Sequence, residues 1–149
     1  MHPRPQDRLL SVALALAVAT SLAACGATAT TTPAQEEARQ QIVNYVEAFN
    51  KAGSHFHSAP TAQQLRTAIG EIASTVPPAQ FRASYERFLG GLRGELAGFA
   101  AVERAERIHN ATLIKKAELA KLKQAAIASS ALAEAGGVLK KCQQDNYSC

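Results

Sequence analysis

The chain has 149 residues and a formal net charge of +4, with 47% hydrophobic and only 5% aromatic residues, one methionine and no tryptophan. That is one domain's worth of chain, and the mild basicity falls short of what a nucleic-acid-binding surface requires. With so few aromatics, the core must be built from Ala, Leu, Ile and Val with a few Phe and Tyr.

Residues 1–8 hold Arg4 and Arg8 against one acid, Asp7. Residues 9–20 (LLSVALALAVAT) are apolar apart from Ser11 and Thr20, and residues 21–25 lead through mostly small side chains to Cys25. A basic segment, a short apolar segment and a small-residue cleavage site follow the order of a secretory signal. An apolar run of about 12 residues is too short for a bilayer core that needs roughly 20. The run Leu22-Ala23-Ala24-Cys25 resembles the lipobox of bacterial lipoproteins, a branched apolar residue and two small residues before a cysteine.

The resemblance covers residues 1–25 alone. It implies a signal peptide over 1–24 that is removed, and a diacylglyceryl group on the Cys25 thiol. Two acyl chains anchor stably where one is marginal. The implied address is the extracytoplasmic side of a membrane: the cell membrane or, since Gly26 and not Asp follows the cysteine, an outer membrane. Loss of Arg4, Arg8 and Asp7 takes the net charge from +4 to +3. Residues 25–35 then read as the lipidated cysteine and a flexible Thr-rich tether, small in side chain and with little to bury.

Residues 36–141 carry helical apolar spacing throughout, and no stretch alternates with a period of two. A first helix is expected over 34–52, with Ala38, Ile42, Val46 and Phe49 on one side and Gly53 as its stop. A second, over 61–76, lines up Leu65, Ile69, Ile72 and Val76; Thr61 with Gln64 makes a capping box, and Pro77-Pro78 ends it. A third, over 78–108, places Phe81, Tyr85, Phe88, Leu92, Leu96 and Phe99 on one stripe within roughly 80°. A fourth, over 111–141, sets Leu113, Ala117, Ala120, Ile127, Ala131, Ala135 and Val138 on one face. A turn at His109-Asn110, with Asn110 as N-cap, divides the last two; the competing reading is a single helix of about 60 residues, some 90 Å long. The expected fold class is all-α, an antiparallel bundle of about four helices with a long hairpin of the third and fourth.

Residues 142–149 form a polar tail. In an exported protein, the closely spaced pair Cys142 and Cys149 is most simply a disulfide. Closing a ring of eight residues contributes roughly 2.5 kcal/mol by loop entropy. That gain stays in the tail unless Tyr147 or its neighbours pack back on the bundle.

Several residue groups carry chemistry worth weighing. Gly90, Gly94 and Gly98 recur every four residues, and with Gly91, Ala101 and Ala105 they make a small-residue face on which a helix, internal or from a partner, can approach closely. Lys115, Lys116, Lys123, Lys140 and Lys141 form a basic side on the fourth helix, opposite its apolar face and suited to anionic lipid headgroups or surface polymers. His55, His57 and His109 are weak candidates for a metal. Glu106 with His109 is a single Glu-x-x-His turn, and a di-iron bundle needs two. No Cys-x-x-Cys-His or mature methionine offers haem ligation, and no Ser or Cys stands in a nucleophile motif. The sequence therefore implies no cofactor and no enzyme. It points to a membrane-tethered envelope module that binds an envelope protein or an anionic surface polymer. The alternative is a carrier of a small ligand or metal within the bundle, which requires a sizeable cavity near Phe81, Phe88 and Leu92.

Overall fold

A computed structural model describes residues 32–53, 60–147 and 149. Among them the protein is all-α, without strands. Its helices are α1 (Pro33–Gly53), α2 (Ala62–Ala73), α3 (Arg82–Arg107) and α4 (Ala111–Gln144), with a 3-10 turn (Ala79–Phe81) leading into α3. The signal peptide, Cys25 and most of the tether lie outside the described residues, as do His55 and His57.

Local chemistry sets most of the helix ends. α1 starts inside the stretch read as tether, because Thr32 and Gln35 satisfy each other's backbone. The Gln35 N–H donates to Thr32 Oγ1 at 3.3 Å, and the Thr32 N–H donates to Gln35 Oε1 at 2.9 Å. Pro33 then occupies the first helical position, where its missing N–H costs nothing. Thr61 and Gln64 make the same reciprocal box at α2. α2 stops at Ala73, three residues short of the expected end. Ser74 and Thr75 turn their hydroxyls back to the carbonyls of Glu71 and Ile72 at 2.6 and 2.7 Å, and Val76 stands in solvent, 86% exposed, instead of lining the core.

The division of the last two helices is a C-terminal cap fused to an N-terminal one. The His109 N–H donates to the Glu106 carbonyl at 2.9 Å and the Asn110 N–H to the Ala105 carbonyl at 3.1 Å, the paired bonds of a Schellman motif. His109 takes the left-handed position, φ 51°. Asn110 closes α3 with its backbone and opens α4 with its side chain, which accepts from the Leu113 N–H at 3.0 Å.

α3 and α4 approach each other closely, and glycine permits it. A Cβ on Gly91 would lie 2.8 Å from the Ala128 backbone nitrogen, and one on Gly98 would lie 2.7 Å from Lys121 Cβ. This register turns α4 roughly 60° from the face that periodicity selects. Ala128, Ala131, Leu132, Leu139 and Cys142 are buried, whereas Leu113, Ala120 and Ile127 are exposed. Alanine at most positions lets α4 turn freely, and the glycine contact decides.

α1 packs by the opposite means. It stands off from α3 and α4, and aromatic rings fill the gap: Tyr45 lies 5.3 Å from Phe81 and Phe49 lies 4.9 Å from Phe88, centroid to centroid. Ile42, Leu65, Ile72, Leu92, Leu132 and Leu139 complete one core. The Tyr85 hydroxyl donates to the Ile72 carbonyl at 2.9 Å, supplying a partner to the last turn of α2.

The tail folds back on this core. α4 continues through Gln144, past the expected boundary at 141. A second Schellman motif follows, with Asn146 and Tyr147 left-handed and the Tyr147 N–H donating to the Cys142 carbonyl at 2.6 Å. Cys142 is fully buried and bridged to Cys149, with Cα atoms 5.0 Å apart. Tyr147 packs against the core, with the Arg39 guanidinium of α1 5.9 Å from its ring centre. The bridge thus closes the tail onto α4, with Tyr147 held beside Arg39 of α1.

Candidate functional site

A functional site in a helical bundle lies either in its interior or on a face left without a neighbour. Among the described residues, the core is closely packed around its aromatic rings. The space among Tyr45, Val46, Phe49, Phe81, Leu132 and Leu139 is about 20 Å³, room for a single water. Burial, and then the neighbouring Tyr85, push the Tyr45 hydroxyl above its ordinary value, so the phenol stays neutral there. The buried Ser84 hydroxyl donates to the Phe81 carbonyl at 2.9 Å, a bond internal to the start of α3.

The free faces lie on the hairpin. α4 carries no buried residue from Ala111 to Ile127, whereas Ala128, Ala131, Leu132, Leu139 and Cys142 are buried, so the turn end of the hairpin forms an arm outside the common core. On one side, Ala101, Arg104, Ala105 and Ile108 of α3 face Leu113, Lys116, Ala117 and Ala120 of α4 across an open groove of about 380 Å³. On the other, a wider cleft of about 720 Å³ holds Phe99 and Val102 among Arg66, Arg93, Glu103, Glu106, Glu118 and Lys121. Lys121 lies with its ammonium 4.3 Å from the Phe99 ring centre, which holds its stem across Gly98.

Each sequence candidate has a definite place. Gly94 and Gly98 are covered from within: a Cβ on Gly94 would meet the Gln124 side chain at 2.5 Å, and Gly98 lies under Lys121. They seat α4 and present no face to a partner. Gly90 points to open space. Lys115, Lys116 and Lys123 are exposed on α4. His109 is exposed in the hairpin turn, where backbone geometry explains it. Among the described residues, no group of three or more His, Cys, Asp or Glu is placed to hold a metal ion. No described helix is long and apolar enough to cross a membrane.

Sequence reasoning missed Glu95. It is buried on α3 between Gly91 and Gly98, on the side that meets α4. Burial raises its carboxyl above the usual range, and Lys121 partly offsets the shift. Its spacing, four after one packing glycine and three before the next, was the available signal.

No family model matches the chain, and no curated protein or solved structure matches it either. Nothing in those comparisons points to an enzyme.

Proposed function

We propose that this chain is a lipid-anchored protein of the cell envelope whose helical domain is a binding module, engaging its surroundings through the projecting α3–α4 arm. The lipobox-like run before Cys25 supports the anchor, and the disulfide of Cys142 and Cys149 suits an oxidising, extracytoplasmic setting. The observation that carries the module reading is the contrast between a filled core and an arm with large apolar side chains in solvent. Ile108, Leu119 and Leu122 are 63%, 55% and 47% exposed. A carrier needs space inside, and about 20 Å³ accommodates neither a lipid nor a cofactor. Clustered exposed apolar residues on a projecting element mark contact with something else. A lipid tether also raises the effective concentration of any neighbour on the same membrane, so modest affinity suffices.

The anchor is tested by growing cells with a clickable fatty acid. Wild type should label and Cys25→Ser should not; equal labelling of both ends the lipoprotein reading. The module is tested by placing a photocrosslinking residue at Leu119 and, as a control, at Val76. A recurrent adduct from position 119 alone is expected, and identical adduct patterns from the two positions would contradict it.

A further inference from the structure

The outward side of α4 has a composition that selects among partners. Leu119, Leu122 and Ile127 are exposed there, and so are Lys115, Lys116 and Lys123. At 100° per residue these six fall within an arc of roughly 140°, centred opposite the face packed on α3. Glu134, two turns past Ile127, is the carboxylate within the arc, and Arg87 engages it at 2.6 Å. Glu118 lies outside it, in the cleft with Lys121.

We infer that this face lies flat on an anionic lipid bilayer, with the apolar side chains at the headgroup boundary and the three ammonium groups among lipid phosphates. This names the partner of the module proposed above and takes its setting from that reading. Apolar side chains of an interfacial helix settle about 5–10 Å into the boundary region. Lysine stems lie along apolar surface while their charges stay in the polar layer. The same face fits other occupants poorly. Against a second copy it would oppose lysines to lysines, with the one carboxylate of the face already paired to Arg87. A soluble polyanion would satisfy the lysines and leave the leucines in water. An anionic bilayer takes both.

Lysine footprinting on the full chain carrying Cys25→Ser, so that no lipid holds it, tests the inference. The protein is acylated alone, with vesicles of phosphatidylcholine, and with vesicles of phosphatidylcholine and phosphatidylglycerol, and each lysine is quantified by peptide mass spectrometry. Arg4 and Arg8 also draw residues 1–20 to anionic vesicles, so the lysine face is read as protection relative to Lys51 of α1 in the same sample. Lys115, Lys116 and Lys123 should lose reactivity several-fold with the anionic vesicles only. The triple variant K115Q/K116Q/K123Q, at unchanged helicity, should weaken association with those vesicles on the order of 100-fold, three charges at about fivefold each. Equal reactivity of the three lysines in both vesicles overturns the inference. So does protection that grows with protein concentration without lipid, which would mark a second copy, or equal protection by soluble polyphosphate. Fatty-acid labelling at Cys25 is read in a separate experiment, so failure of the anchor and failure of this face are distinguishable.

Discussion

Gly91 of α3 lies against the backbone of Ala128 in α4, so close that a Cβ there would stand 2.8 Å from the Ala128 nitrogen. The neighbour is main chain and cannot rotate away. Gly91→Ala should therefore force the hairpin apart and cost about 1–3 kcal/mol, as overpacking does. Gly90, one residue earlier and on the solvent side, meets nothing within 4 Å. Gly90→Ala should instead stabilise by about 1 kcal/mol through helix propensity. Urea denaturation of both variants checks this; destabilisation of equal size would mean that α4 does not sit on Gly91.

The hairpin turn makes a second pair of opposed predictions. His109 holds a left-handed conformation that glycine adopts without penalty. His109→Gly should stabilise by about 1 kcal/mol. Asn110→Ala removes the side-chain acceptor of the Leu113 N–H and should cost about 1 kcal/mol. Thermal melts of the two variants should move in opposite directions. If the chain were one continuous helix here, glycine at 109 would destabilise it.

Caps were legible because their chemistry is local: Thr61 with Gln64 and Asn110 with Leu113 need no tertiary partner to act. The same rule applied to Thr32 and Gln35 would have placed the start of α1 at Pro33. The orientation of α4 was not legible. Its face is alanine at so many positions that Leu113 and Ile127 outweighed Leu132 and Leu139 in the periodicity, and glycines on another helix decided between them. Glu95 stayed hidden for a related reason, since a charged residue at core spacing is ordinarily read as solvent-facing. Of the candidate site, the lysines of α4 were legible, but their company of exposed leucines followed only from the turned helix.

Glu95 gives the stability a pH signature. Burial raises its pKa in the folded state, so the folded protein holds this proton more tightly than the unfolded chain does. Stability therefore falls as pH rises from the ordinary glutamate range through the raised value, and the full penalty stands above it. Glu95→Gln should be more stable than wild type at neutral pH, and the difference should shrink on acidification. Chemical denaturation across that range measures it; a difference that grows in acid would show the carboxylate to be stabilised by its surroundings.

If this protein works through its outer surface at a membrane and holds nothing inside, native mass spectrometry of the full chain's product, purified from cells in mild detergent, should show it. The expected species begins at Cys25 and carries a diacylglyceryl lipid. It should lack two hydrogens for the bridge of Cys142 and Cys149, and nothing further should be bound in the folded domain. A species with unmodified Cys25 and a stoichiometric small molecule or metal in the domain would contradict it.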